Sequence, residues 1–319
     1  MPVILGGAAL TRRYVEQDLR AVYPGPLFYG RDAFGGLAVM EAVSEAKQSE
    51  TRDPDFGRVA TGRVLPQVDR TGPPPEEPAP IRSPAVAADN PVFVPPRLGS
   101  QIVKGLPIDD VAAYINETAL FRNQWQFRPE DGETDAEFKD RIRPYLRTEL
   151  ANAKAKELLV PQVVFGFFPV NGDGNDLIVW DGEDRRSERT RFSFPRQAHD
   201  PYLCIADFFR PARSADVDYA AFHIVTMGPR ISEETARLFG EDHYQEYLLL
   251  HGLGVEMAEA LAEYWHHRVR AEWGFVDEDG PTVQGLFRQK YRGGRYSWGY
   301  PACPDLEDNE RVADLLDAD

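Results

Sequence analysis

The chain is expected to be an α+β protein: a mixed or antiparallel sheet with long helices, preceded by the last β-α-β-α piece of a doubly wound sheet. Three observations carry this. Apolar runs at residues 162–168, 176–181, 189–194, 203–209 and 219–228 follow one another with turns between them, which is the order of an antiparallel or mixed sheet and not of regular βαβ units. Residues 242–270 keep apolar side chains at helical spacing through Tyr244, Tyr247, Leu248, Val255, Ala258, Leu261, Ala262 and Trp265, so one long helix with a buried face is expected. Residues 1–47 alternate strand, helix, strand, helix on their own.

In the first unit, residues 2–5 are a short apolar strand, followed by the small-residue turn Gly6-Gly7-Ala8-Ala9. Thr11 is placed to cap a helix that Pro24-Gly25-Pro26 stops. Residues 27–29 form a second strand and residues 33–46 a helix. A strand running into Gly-Gly and then a helix lets a ligand lie on bare backbone; the same turn also serves packing alone, and both readings stand. The unit is small and begins directly on a core-type strand, as the end of a doubly wound sheet would.

Residues 48–98 read as a linker. Ten of the chain's 26 prolines lie between Pro66 and Pro96, and proline-rich chain is extended and semi-rigid. It is either a passive tether or a spacer that sets the reach between two domains, with residues 90–94 available as a strap across the second.

The second domain is expected over residues 99–319. A helix starts at 108–115, capped by an aspartate, and Asn116 follows its apolar stripe, either pointing into a groove or capping a helix end. Thr134 and Glu137 have capping-box spacing, opening a helix toward Leu159 that Pro144 should kink or break. Residues 169–175 are read as a long Gly/Asn/Asp hairpin loop, which lacks the spacing of a calcium loop, and no metal site is expected. Cys204 is read as a small core residue in a strand, and His223 as a sheet histidine more than a catalyst. Ser232 is expected to cap a helix, His266 and His267 point apart and make a poor metal pair, and residues 306–319 read as an acidic amphipathic helix.

The least periodic stretch is 291–305, Tyr-Arg-Gly-Gly-Arg-Tyr-Ser-Trp-Gly-Tyr-Pro-Ala-Cys-Pro-Asp. Its glycines permit unusual backbone angles and its prolines stiffen it. Arg295 offers a planar fork for a carboxylate, and Tyr296, Trp298 and Tyr300 offer faces to a flat ring or a cation. A zwitterionic, ring-bearing ligand fits such a loop; the alternative is a connection whose aromatics are core.

Bulk properties exclude several classes. With Lys+Arg at 36 and Asp+Glu at 52, the net charge is -16 over 319 residues, unsuited to a general nucleic-acid binder. No apolar run approaches a membrane span. Two distant cysteines, Cys204 and Cys303, make neither a disulfide framework nor a metal cluster, so a cytoplasmic setting is expected.

Arg295-x-x-x-Gly299-Tyr300 with the following Pro-Ala-Cys-Pro-Asp closely resembles the S-adenosylmethionine-binding signature in the reactivation domain of cobalamin-dependent methionine synthases. Residues 4–8 and 29–33 resemble the end of that family's cobalamin-binding domain. The resemblance covers about residues 1–47 and 90–319. It implies methyltransferase chemistry in the parent enzyme, from methyltetrahydrofolate through cobalamin to homocysteine. This portion would hold S-adenosylmethionine for reductive remethylation of inactive cobalamin, with a flavodoxin-type protein as electron donor and the cobalamin-binding domain of the same enzyme as partner. The alternative is a non-catalytic module that docks the electron donor. An ordinary methyltransferase acting on an external substrate is disfavoured, because no Gly-x-Gly-x-x-Gly follows a first strand.

By the resemblance, Arg295 clamps the ligand's carboxylate, Ser297 and Tyr300 shape the groove, and Asn116, Glu259 and Gln289 line it; Gly6, Gly7 and Ala33 face the tail of cobalamin. No residue is implied as general acid or base. Asn116 and Gln289 are amides where the family has acids, which implies weaker attraction for a cation. None of the six histidines sits in the family's Asp-x-His-x-x-Gly motif, so the chain is expected to be cut inside the cobalamin domain and not to bind cobalamin tightly alone. The family's domain continues past the position of Asp319, and one later segment carries aromatic ligand contacts.

Overall fold

The computed structural model describes residues 2–6, 10, 12–30, 33–48, 56–58, 80–279, 282–287 and 291–318. They fall into two compact units, 1–77 and 78–319, each described by itself.

In the first unit, β1 (Val3–Gly6) and β2 (Leu27–Gly30) pair in parallel, Val3 opposite Leu27 and Gly6 opposite Gly30. A π-helical segment, Tyr14–Leu19, runs into α1 (Arg20–Val22) between them, and α2 (Ala33–Gln48) follows β2. This is the expected strand, helix, strand, helix order, with the parallel pairing that crossover connections produce. Val15 is fully buried, and Arg20, also buried, donates from Nε (2.9 Å) and Nη2 (2.6 Å) to the carbonyl of Leu27. A Cβ on Gly6 would stand 2.6 Å from the carbonyl oxygen of Gly30, so glycine is required there by strand-to-strand approach.

The second unit is a five-stranded antiparallel sheet with helices on one face and a thinner cover on the other. Its strands are β3 (Gly99–Lys104), β4 (Gln162–Asp173), β5 (Asp176–Trp180), β6 (Glu188–Ser193) and β7 (Asp218–Thr226). The long β4 organises it: β7 pairs along residues 162–170, while β3 pairs with 162–167 and β5 with 170–173. Val170 faces both Val179 and Asp218, so β5 lies across β4 from β7. β6 pairs with the outer edge of β5.

Alternation along β4 and β7 sends Phe165, Phe167, Ala221 and Val225 to one core and Val164, Phe168, Phe222 and Ile224 to the other, as period-two side-chain direction requires. The first core is closed by α3 (Ile108–Ala112), a π-helical turn Ala119–Gln124, α4 (Asp135–Ala155), α5 (Pro229–Gly240) and the 30-residue α6 (Tyr244–Trp273). Trp125 Nε1 donates to the Leu249 carbonyl (2.9 Å), tying the Ala119–Gln124 turn to α6. After α7 (Val283–Phe287) the chain crosses to the second core, where α8 (Asp308–Leu316) buries Val312, Leu315 and Leu316.

Several local expectations are corrected. Residues 203–209 are not a strand: Ile205–Phe208 is a 3₁₀ turn, because the Asp207 carboxylate is drawn inward to Arg196 Nη1 (2.5 Å) and Nη2 (2.8 Å) and to the Ser83 N–H (3.0 Å). Cys204 is core, but at the mouth of that turn. Ser232 lies inside α5, whose cap is Gly228 at φ 82° with Pro229 next, the residue suited to a first helical position. The residue before α3 is Pro107, with no aspartate side chain capping it. Pro144, which is exposed, neither breaks nor ends α4. The Thr134–Glu137 capping box is present.

Residues 80–98 pack on the second unit. Besides Ser83, the Arg196 guanidinium holds the Ile81 carbonyl (2.8 Å), Arg210 holds those of Ala88 and Asn90, and Trp273 Nε1 donates to Phe93 O (2.9 Å). Among the described residues, no helix is long and apolar enough to cross a membrane, and no group of histidine, cysteine or acidic side chains is arranged to hold a metal.

Candidate functional site: the α6 face and the 291–305 loop

The loop 291–305 is pinned at both ends. At its start, Arg270 from α6 donates Nη1 to the Arg292 carbonyl (2.6 Å) and lies 4.1 Å from the centre of the Tyr291 ring. Arg270 is itself fixed by buried Asp279 through Nε (2.5 Å), and His267 Nδ1 lies 2.9 Å from the same carboxylate. Arg292 N–H donates to Glu278 (3.1 Å). At its end, the Trp298 ring stacks on Phe192 (5.1 Å) and Phe194 (5.7 Å). Gly299 takes φ 94° and donates to the Cys303 carbonyl (2.9 Å), while Cys303 N–H returns to Tyr300 O (2.9 Å). The buried Cys303 thiol donates to Ser297 O (3.0 Å). The loop therefore runs from the α6 face of the sheet to the opposite core, with Arg295 in its free span.

Arg295 is mostly buried and donates from Nη2 to Glu263 Oε2 at 3.2 Å. Glu263, on α6, is buried; its Oε1 has no hydrogen-bond partner among the described residues, with His266 Nδ1 3.9 Å away. Burial pushes the Glu263 carboxyl up, but His266 and Arg295 together outweigh it and hold it below the usual range. His223 projects from β7 toward this group. Desolvation, then the charges of Arg295 and His266, lower its pKa to about 4, so it is a neutral sheet histidine.

Asn116 sits at the far end of the same helix face. Its Oδ1 accepts from Thr118 N (3.1 Å) and Ala119 N (3.2 Å), and its own N–H donates to Glu256 Oε1 (3.1 Å). Its side chain thus serves as a cap, and its backbone ties the turn to α6. Glu256, Glu259 and Glu263 follow at helical spacing of three and four, which aligns them on one face; at 1.5 Å per residue, Asn116's contact and Arg295's contact stand about 10 Å apart.

The structure thus brings Asn116, Glu259 and Arg295 to one helix face. Glu259, Ser297 and Tyr300 are exposed, Tyr300 at 65 %. Gln289, Gly7 and the side chain of Ala33 lie outside the described residues. Sequence reasoning missed Glu256 as a buried member of the face and Glu263 as the partner of Arg295. The available signal was three glutamates at positions i, i+3 and i+7 of one long helix. Two small cavities, of about 120 Å³ beside Arg82 and Arg213 and about 140 Å³ beside Glu149 and Glu246, lie away from these residues.

Fold and site define an α+β domain in which a glutamate-bearing face of a long helix meets an arginine-bearing loop. A profile described as the activation domain of vitamin B12 dependent methionine synthase matches residues 107–319. The methionine synthase of Mycobacterium tuberculosis (strain ATCC 25618 / H37Rv) is 40% identical across 99% of this chain, and that of Mycobacterium leprae (strain TN) is 39% identical across 99%. The chain spans 29% of the length of each. A crystal structure of the MetH reactivation domain bound to AdoHcy is 27% identical, with a TM-score of 0.64 over 71% of this chain and 72% of that one. The chain belongs to the vitamin B12 dependent methionine synthase family, through its activation domain.

Cobalamin is the family's cofactor. Gly6 is explained by strand packing, and every histidine of the chain lies at or after His199, so no residue here is assigned to the cobalt.

Proposed function

We propose that this chain binds S-adenosylmethionine in the α6 groove as the reactivation module of a cobalamin-dependent methionine synthase. The observation that carries the reading is Arg295: a guanidinium fixed by a loop anchored at both ends, opening on an acidic helix face. Arg295 takes the ligand's methionine carboxylate by a charge-assisted fork. The acidic face, with Glu259 exposed on it, attracts the ammonium and sulfonium charges. Ser297 and Tyr300 shape the open wall, and Asn116 and Gln289 contribute amides. The relative solved with AdoHcy supports a ligand that has the same amino-acid tail.

Binding and orientation are this chain's contribution. Bound cobalamin supplies the cobalt that receives the methyl group, and a flavodoxin-type donor supplies the electron. The parent reaction, methyl transfer from methyltetrahydrofolate to homocysteine, belongs in this proposal to the longer enzyme that the module serves. Residues 1–47 are proposed as the end of its cobalamin-binding domain, 48–98 as the linker and 99–319 as the activation domain, in a cytoplasmic protein. Calorimetry with S-adenosylmethionine tests the reading: saturable binding is expected, with a loss of at least about 100-fold in Arg295→Ala, since charge-assisted pairs of this kind contribute a few kcal/mol. Equal affinity in both proteins contradicts it. A module that only docks the electron donor would bind that protein and show no affinity for the nucleoside.

A further inference from the structure

Glu256 is a buried carboxyl that the proposed function does not use. It is 4% exposed, and the hydrogen bond it accepts comes from the Asn116 N–H at 3.1 Å. The groups facing it come from two elements. On α6 Glu259, one turn on, presents a like charge; from the 116 turn comes the Asn116 N–H. Glu117, next on that turn, is taken by Arg143 from α4 at 2.7 Å and 2.8 Å. Among the described residues no cation contacts Glu256, which sits at the end of the α6 face opposite Arg295. A buried carboxylate is costly unless it is paired, and a buried carboxyl beside a like charge keeps its proton. The contacts agree with the direction of its titration: desolvation, with Glu259 adding to it, pushes Glu256 up to about 7 despite the Asn116 hydrogen bond.

We infer that Glu256 is a positioning residue for a cationic ligand: it holds a proton while the groove is empty and gives that proton to solvent when a ligand carrying an ammonium and a sulfonium enters, so that binding is linked to proton release. The inference rests on the α6 groove being the S-adenosylmethionine site. The balance is simple. The carboxyl O–H bond breaks, the proton passes to buffer, and the carboxylate faces the ligand's positive charge across the Asn116 turn. No redox step is involved.

Calorimetry of the unaltered chain with S-adenosylmethionine, in two buffers of different ionisation enthalpy at about pH 6 and about pH 7.5, reads this directly. The expected result is tighter binding at the higher pH and net proton release at the lower one. Glu256→Gln keeps a carbonyl oxygen for the Asn116 N–H and removes the titration. It should bind roughly 10-fold more weakly at about pH 7.5, lose most of the pH dependence, and release no protons. If the unaltered chain binds without proton release, or Glu256→Gln reproduces its pH dependence, the inference is overturned while the groove assignment stands. If the unaltered chain does not bind at all, both fall; Arg295→Ala, tested in parallel, reports on the groove alone.

Discussion

Arg295 Nη2 donates to Glu263 Oε2 at 3.2 Å, so the arginine offered to a ligand is already held by a buried acid of α6. The pairing joins the irregular loop to the most regular element of the fold. It limits the arginine's freedom before binding, which reduces what must be ordered on association. Glu263→Ala should cost about 3 kcal/mol, because a mostly buried guanidinium beside His266 loses its partner. Urea denaturation measures this, and a loss below about 0.5 kcal/mol would place the pair among the exposed ones that contribute little.

Asn116 caps Thr118 and Ala119 with one oxygen, and aspartate caps as well as asparagine does. Asn116→Asp should therefore keep the turn and add negative charge to the groove. Several-fold tighter binding of S-adenosylmethionine is expected by calorimetry; unchanged or weaker binding speaks against this end of the groove. Asn116→Ala, by contrast, should cost about 1 kcal/mol of stability through the lost cap.

One buried carboxylate holds the start of the 80–98 segment. Asp207 and Arg196 are almost wholly buried, and Asp207 also takes the Ser83 N–H. Asp207→Ala leaves Arg196 uncompensated and should cost about 3–5 kcal/mol, with residues 80–90 becoming sensitive to limited proteolysis. Full protection of that segment in a destabilised variant would show that Arg210 and Trp273 suffice to hold it.

His223 predicts an acid limb. Its folded pKa lies near 4, against about 6.5 for an unfolded chain. The unfolded state takes the proton first as pH falls, so the stability contribution is whole above about pH 6.5 and is lost progressively down to about pH 4. His223→Gln should flatten the fall between about pH 6.5 and 5, where most carboxylates are still ionised. An unchanged acid profile in that variant would mean that the histidine stays accessible to protons in the fold.

Much of this architecture was legible because local signals agreed with it. The β-α-β-α opening and the Thr134–Glu137 box follow from periodicity and turn chemistry. The 162–181 hairpin was legible, but residues 169–173, expected as loop, belong to β4, which leaves a short turn at Gly174-Asn175. The 203–209 run misled because one long-range partner, Arg196, outweighed strand propensity at Asp207. The irregular loop 291–305 was legible from composition, but the burial of Arg295 against Glu263 was not. Glu256 and Glu263 were not, because a glutamate on a helix is ordinarily solvated, and only the packed fold shows that the 116 turn and the 291–305 loop cover these two. Trp298, read as a possible ligand platform, stacks instead on Phe192 and Phe194 and anchors the loop.

A crystal structure of the chain grown with S-adenosylmethionine tests the central claim most directly. The account predicts the ligand's carboxylate about 3 Å from the Arg295 guanidinium, with the molecule lying along α6 toward the Asn116 turn. Clear ligand density elsewhere, with none at the Arg295 guanidinium, would contradict it.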